Sequence, residues 1–480
     1  MSSILRRTFN NIFWLFIGEV CAKGVVFLTT LYLARVLGID GFGKFSLALA
    51  MSTYMWIFVD MGITGYGTRE IARDREKISE IFRILNSLRL VLAVVSFLIL
   101  IIFLHILNIP LDMRMILLAG GFYVIAYALS PDWVLRGIER MEYIALGNAV
   151  MSIVFLLTVY LFVRAPDDTV SAVLYRSFSF LLGSFVALII LKRTMNVWYA
   201  FEISLSKWLF HLRESFYFAV NGGLNNIAMY IPVFFLGLWA AMEDVGIFSA
   251  PQRAIVLIIN TVAVIQVASY PVMSNLYVSD KYKFYLIHKT IERVMLYIGL
   301  PIGVMGMILS KEIISTLYGN MYETSSAIFR VMIWIVPLTF LRSNYGRTLL
   351  SAGFHRFNMF ATGSGAVVTI LLCILFIPTY RGTGAAISVL AGEAVILIIM
   401  GVMFGIKLYR SYPFDVFFIK IVIASITAGL IVRIADLPLF YSAVLGVILY
   451  FGISFFLGII TVGMIRDICS RIIQRRVGIV

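Results

Sequence analysis

FRILNSLRLVLAVVSFLILIIFLHI occupies positions 82–106. From Leu90 to Leu104 it holds no charge, and its one polar residue is Ser96. A helix of about 20 apolar residues crosses the hydrocarbon core of a bilayer. Only a helix or a closed barrel can do so, because every peptide group there must be hydrogen-bonded within the protein. A barrel strand alternates apolar and polar residues, and this run does not. Position 82–106 therefore reads as a spanning helix. The rest of the chain reads the same way. Of its 480 residues, 61% are hydrophobic and 13% are charged. A soluble domain is about 45–50% apolar and about 25% charged. A soluble enzyme, a one-pass receptor and an outer-membrane barrel are excluded.

Similar runs fall at 10–36, 41–62, 114–131, 143–163, 170–191, 214–239 and 245–277. Six more follow at 288–309, 326–346, 357–378, 383–406, 415–433 and 440–464. The expected fold is an all-α membrane protein of about 14 transmembrane helices. An even count puts both termini on one side. The loops of that side carry 26 Lys and Arg, and those of the other side carry 7. Basic loops stay cytoplasmic, so both termini are expected inside a multi-pass protein of the cell membrane. The same rule accounts for the net charge of +14 without nucleic acid as a partner. The N-terminus runs directly into an apolar stretch too long for a signal peptide and reads as the first span. Cys21, Cys373 and Cys469 form no pair at metal or redox spacing, and the four histidines are scattered, so no metal or cofactor is expected. The outside loops are too short for a catalytic domain, which argues against an enzyme. IARDREKISEIFRILNSL (71–88) and YKFYLIHKTIERVML (282–296) have amphipathic helical spacing and are expected to lie along the inner headgroups.

Two echoes suggest an internal repeat. Gly43, Phe45 and Ser46 follow the first span, and Gly246, Phe248 and Ser249 follow the seventh. Gly137 and Arg140 follow the fourth span, and Gly353 and Arg356 follow the tenth. Both echoes set one helix on the helix six later with the same sidedness. That predicts two parallel six-helix lobes, 1–200 and 201–408, with two extra helices and a basic tail over 409–480. A cavity between such lobes would suit alternating access.

Several stretches then carry a resemblance. They are K-G-V-V-F-L (23–28), L-A-R-V-L-G-I-D-G-F-G-K-F (33–45) and D-M-G-I-T-G-Y-G-T-R-E-I-A-R (60–73). L-R-G-I-E-R-M-E-Y-I-A (135–145) and V-G-I-F-S-A-P-Q-R (245–253) complete the set. The chain resembles the polysaccharide biosynthesis flippases of the Wzx or RfbX type, within the multidrug/oligosaccharidyl-lipid/polysaccharide exporter superfamily. The resemblance implies a V-shaped two-lobe fold with a cationic cavity. It also implies export of a lipid-linked oligosaccharide from the inner to the outer leaflet for surface polysaccharide such as O-antigen. Membrane lipid and polysaccharide assembly proteins would be its partners. The alternatives are a cation-coupled multidrug antiporter of the same superfamily and a flippase for a cell-wall lipid precursor. Many members hold an acidic residue in mid-helix 7 where this chain has Tyr230, Ile231 and Pro232, which puts an ion site there in doubt.

An ionisable group within a span costs about 2.5–3.5 kcal/mol to insert, so each one is a functional candidate. Glu19 and Lys23 stand at i and i+4. They read as a self-neutralising pair or as cavity groups, with Lys23 meeting phosphate and Glu19 sensing an ion. Arg253 and Arg342 are placed with Lys23 as a grip for the diphosphate of a polyprenyl carrier. Arg176 and Arg330 read instead as snorkelling to the outer headgroups. Asp60 reads as a helix cap, a partner of Arg69 or an ion site, and Glu393 as a site for H⁺ or Na⁺. Glu214, Tyr217, Asn221 and Asn225 form a polar stripe that suits sugar hydroxyls or helix–helix hydrogen bonds.

Overall fold

The computed structural model describes residues 3–409 and 415–459, apart from the side chains of 3–17, 217, 220–222, 224–226 and 262–268. Those described residues are helical and contain no strand. The first helices are α1 (Ser3–Asp60), α2 (Ile63–Arg73), α3 (Ile78–Ile106), α4 (Leu111–Ala128), α5 (Asp132–Gly137) and α6 (Met141–Phe162). Next come α7 (Thr169–Met195), α8 (Leu205–Trp239), α9 (Met242–Ser279), α10 (Lys281–Ile308), α11 (Ser310–Tyr318) and α12 (Ser325–Met332). The last are α13 (Ile335–Ser351), α14 (His355–Lys407), α15 (Val416–Ala435) and α16 (Leu439–Phe456). Among the described residues, ten stretches are long and apolar enough to cross a membrane, so this is a multi-pass membrane protein. Two of the ten are broken. Gly38 takes φ +69° within α1 and Arg381 takes φ +46° within α14. Each break falls between two expected spans. In α14 the two halves fold back on each other, since a Cβ on Gly365 or Gly392 would lie within 3 Å of the other's carbonyl oxygen.

The chain forms two compact units, Met1–Ala268 with Met359–Ile396, and Ser269–Asn358 with Leu397–Val480. In the first unit, α1 packs on α4, α6 and α8, and α7 packs on α4 and α6. One hydrophobic core of this unit gathers Tyr66, Phe82 and Trp133, with Ile63, Leu135 and Val197, around α2 and α5. The connection from α7 to α8 is extended and tied to this core. Tyr199 donates to the Leu129 carbonyl, and the Glu202 carboxylate pairs with Arg83 at 2.6 Å and with Lys207 at 2.8 Å. The Lys207 ammonium thereby holds the Glu202 carboxyl below the usual range.

In the second unit, α10 packs on α13 and α15. Asp280 caps α10 through the Lys283 N–H, and Asp415 caps α15 through the Phe418 N–H. Both amphipathic segments differ from the headgroup-bound expectation. Residues 78–88 are the first three turns of α3, with Ile78, Phe82, Leu85 and Leu88 buried. Residues 282–296 belong to α10, with Phe284, His288, Glu292 and Met295 buried. Their apolar face meets protein instead of lipid. Among 282–296 it also carries polar groups, which only a protein partner can satisfy.

Candidate functional site: a cation-lined cavity

The first unit holds a half-open cavity of about 300 Å³, at the lower end of the size range of ligand sites. Lys23 of α1, Arg176 of α7 and Arg253 of α9 all line it. Lys23 Nζ lies 3.3 Å from Glu19 Oε2, one turn away, and donates to Asn260 Oδ1 at 3.3 Å. Arg253 Nη2 donates to Ser46 Oγ at 3.2 Å. Its guanidinium stands over the rings of Phe42 and Phe45, at 5.2 and 5.4 Å. Arg176 stands over Phe155 at 5.1 Å and Tyr123 at 6.0 Å. Gln252, Asn260, Ser52 and Thr53 add neutral polar groups, and Gln252 is fixed by the Met229 carbonyl at 2.8 Å. The walls therefore combine positive charge, amide and hydroxyl groups, and aromatic faces. That mixture suits an anion joined to a sugar better than a cationic or wholly apolar ligand.

Close backbone contacts flank the second half of α1, outside the cavity lining. At one end the repeat-related turns meet: a Cβ on Gly43 would fall on the Met242 carbonyl, and one on Gly246 on the Ile39 carbonyl. Nearby, Arg381 pairs with Asp244 at 3.6 Å. At the other end, a Cβ on Gly62 would fall on backbone atoms of Ser215 and Ala219. There the Tyr66 hydroxyl lies 2.9 Å from His211 Nδ1. Burial lowers the His211 pKa, against the pull of the Glu70, Glu80 and Glu214 carboxylates; Lys207 lowers it further. The neutral ring is the form the closed contact favours. Its contribution is full above the free histidine value of about 6.5 and is lost as pH falls below it. Thermal stability of the wild type should therefore drop relative to His211→Gln between pH 8 and pH 5.5. Parallel curves for the two proteins would remove His211 from the contact.

The remaining candidates lie elsewhere. Asp60 stands apart from the cavity lining, where its Oδ1 accepts from Thr64 and from the Tyr127 hydroxyl. Its cation is Arg89 at 4.0 Å, while Arg69 pairs with Glu70 at 2.9 Å. Pairing with Arg69 is thus corrected, since the α3 guanidinium reaches Asp60 from a neighbouring helix. Arg89 is 1% exposed, stacks on Tyr127 at 4.5 Å and donates to the Ser130 and Tyr127 carbonyls. Its one signal in the sequence is an arginine within the apolar 82–106 run. Glu393 is half-buried on α14 and does not line the cavity. Arg342 is half-buried on α13 in the second unit. The side chains of Asn221 and Asn225 lie outside the described residues. Arg176, expected at the headgroups, faces the cavity instead, because Tyr123 and Phe155 seat its guanidinium within the helix packing. No group of three or more His, Cys, Asp or Glu able to hold a metal occurs among the described residues.

Known proteins place the chain further. A putative O-antigen transporter of Escherichia coli K12 is 25% identical over 389 residues, covering 78% of this chain and 91% of that one. A lipid II flippase, MurJ, solved in an inward closed conformation, superposes with a TM-score of 0.71 at 15% identity, over 92% of this chain and 97% of that one. A multidrug resistance transporter of the MATE family, inward-facing, gives a TM-score of 0.61 at 16% identity, over 79% and 94%. The two structures establish a shared fold. Residues 8–277, more than half of the sequence, match the polysaccharide biosynthesis protein family, and the chain belongs to that family.

Proposed function

We propose that this protein is a flippase, a transporter and not an enzyme. It moves a polyprenyl-diphosphate-linked oligosaccharide repeat unit from the inner to the outer leaflet for surface polysaccharide assembly. One observation carries the reading within this family: Lys23, Arg176 and Arg253 line a single cavity beside amide and aromatic groups. A diphosphate esterified at both ends bears about two negative charges, and arginine grips phosphate oxygens bidentately. The O-antigen transporter among its relatives is named for a related cargo. A multidrug antiporter would carry cations, and a lining rich in guanidinium disfavours them. A flippase for a cell-wall precursor shares the carrier chemistry and differs in the saccharide.

The mechanism follows from the same groups. The diphosphate enters from the cytoplasmic side, Arg253 and Lys23 hold it, and the prenyl tail stays in lipid. Asn221, Asn225 and Arg342 complete the headgroup contacts in this proposal. The chain has 14 spans with both termini inside, arranged as parallel lobes 1–200 and 201–408 followed by the helix pair of 409–480. The breaks at Gly38 and Arg381 support that count, and the meeting of the two Gly-x-Phe-Ser turns supports the repeat. Rocking of the lobes turns the cavity outward, with H⁺ or Na⁺ acting at Glu19, Glu393 or Asp60. The test is a deletion strain in which lipid-linked saccharides and their leaflet are quantified, together with sensitivity to cationic drugs. Repeat units trapped on the inner leaflet, with drug sensitivity unchanged, are expected. Normal lipid-linked saccharides with raised drug sensitivity would replace this reading with the antiporter.

A further inference from the structure

The connection between α7 and α8 turns its apolar side chains the wrong way for water. From Phe201 to Leu205 it alternates strictly: Phe201, Ile203 and Leu205 are exposed, while Glu202 and Ser204 are half-buried. Ile203 is 75% exposed and Leu205 is 69% exposed. Polar groups fix the inward side. The Glu202 N–H donates to Ser87 Oγ at 2.9 Å, and its carboxylate pairs with Arg83. Val197 and Trp208 pin the two ends of the strip in the core around α2 and α5. The apolar residues therefore cannot turn inward without breaking these ties. The exposed face continues with Trp198 before it and with Leu209 and Phe210 after it. A contiguous apolar patch of this kind marks contact with lipid or with another protein.

Helix length places this face at the edge of the bilayer. α8 has 35 residues, roughly 52 Å at about 1.5 Å per residue, against about 30 Å of hydrocarbon. Counted back from its far end at Trp239, about 20 residues fill the hydrocarbon core. Leu205, Leu209 and Phe210 thus lie beyond it, at the level of the headgroups. Charge then selects the contact. Residues 192–213 hold four basic residues, Lys192, Arg193, Lys207 and Arg213, against one acid, Glu202. That acid is spent on Arg83 and Lys207. Lys192 and Arg193 stand in the last turn of α7, and the Lys192 ammonium lies 4.7 Å from the Trp198 ring centroid. An exposed tryptophan beside a lysine, at the border of an apolar strip, is the chemistry of a membrane interface. The ring sits among the headgroups and the cation meets lipid phosphate.

We infer that residues 192–213 form a lipid-binding surface that enters the inner leaflet and selects anionic phospholipid. The apolar strip from Phe201 to Phe210 lies at the boundary between headgroups and acyl chains. Lys192, Arg193 and Arg213, one turn after Leu209 on the same helix face, meet the lipid phosphates. The leaflet is the inner one because this connection belongs to the side rich in lysine and arginine. A protein partner would have to displace the lipid that the span itself brings against this face. The surface is separate from the cavity and does not depend on what the cavity carries.

The test uses the full-length protein in lipid nanodiscs, with its three cysteines replaced by alanine and a bimane fluorophore attached at Ile203→Cys or Leu205→Cys. The same fluorophore at Lys77→Cys, an exposed position on the same side, is the reference. Each variant is first shown to unfold at the wild-type temperature, and the two strip positions check each other. Phosphatidylcholine bearing a nitroxide high on its acyl chain should quench both strip positions and leave Lys77→Cys bright. Acrylamide in the water should do the reverse. The same nitroxide on phosphatidylglycerol should quench the strip more strongly at equal mole fraction. Lys192→Gln and Arg193→Gln should each lower that preference by about fivefold, the contribution of one basic residue near an anionic surface. Strip positions as open to acrylamide as Lys77→Cys would put the face in water and overturn the inference. Shielding from acrylamide without quenching by lipid would mean that protein covers the face, and would overturn it as well. Equal quenching by the two lipids, unchanged by Lys192→Gln/Arg193→Gln, would overturn the selection of anionic lipid.

Discussion

Arg253→Ala is expected to cut export of the lipid-linked saccharide by about 10- to 100-fold while the protein still inserts and accumulates in the membrane. A hydrogen bond to a charged group contributes about 1.5–3 kcal/mol, and each 1.4 kcal/mol is about tenfold. Arg253 is well placed to make such bonds. Its Nη2 is anchored on Ser46, and Phe42 and Phe45 hold the plane of the guanidinium. Arg253→Lys should fall between the two, because lysine keeps the charge and loses the planar fork. Lys23→Ala should also lose export, but its interpretation needs a control. Removing Lys23 leaves the Glu19 carboxylate beside the cavity, where it repels an anion. Export that recovers in Lys23→Ala/Glu19→Ala would show that repulsion dominates, and export that stays low would show that Lys23 itself contacts cargo. The measurements are surface polysaccharide yield and inner-leaflet lipid-linked saccharide, normalised to membrane protein by immunoblot. Normal export in both Lys23→Ala and Arg253→Ala would remove this headgroup site.

Much of this site was legible because lipid makes charge conspicuous. Lys23 and Arg253 stand out in the sequence because an ionisable group in a span has few cheap explanations. Glu19 and Lys23 could be paired from spacing alone, since i and i+4 share a helix face. Spacing says nothing about partners on other helices. Asp60 reads as a helix cap, a partner of Arg69 or an ion site, all from its own neighbourhood in the sequence, whereas its cation, Arg89, comes from α3. From its own helix Arg176 reads as a snorkelling residue, because nothing there reveals Tyr123 and Phe155 from α4 and α6. The α10 segment illustrates a different limit. Its amphipathic period was correct, but period alone cannot say whether the apolar face meets lipid or protein. The buried His288 and Glu292 decide that, and sequence cannot show that they are buried.

Those same α10 residues carry the largest expected effect on stability. Glu292 is fully buried, and its Oε1 accepts from the Tyr345 hydroxyl of α13. Lys289 Nζ lies 2.7 Å from Oε2, an ion pair and not an aligned hydrogen bond, and 3.7 Å from the Asp415 carboxylate that caps α15. Arg293 reaches the same carboxylate at 3.3 Å. One lysine thus serves a buried carboxylate on its own helix and the start of another helix. Removing one partner of a buried pair strands the other charge and costs about 3–5 kcal/mol. Lys289→Met should therefore destabilise the protein by about that amount, because Glu292 has no route to solvent. Glu292→Gln should cost less. Its amide oxygen can still accept from Tyr345, and Lys289 keeps Asp415. The double variant Lys289→Met/Glu292→Gln should regain most of the loss seen in Lys289→Met, since no uncompensated carboxylate remains at 292. Unfolding of the four proteins in detergent, followed as a double-mutant cycle, reads the coupling directly. A Lys289→Met variant as mild as Glu292→Gln, with additive losses in the double variant, would mean that the pair does not hold α10 in place and that apolar packing on α13 and α15 does so by itself.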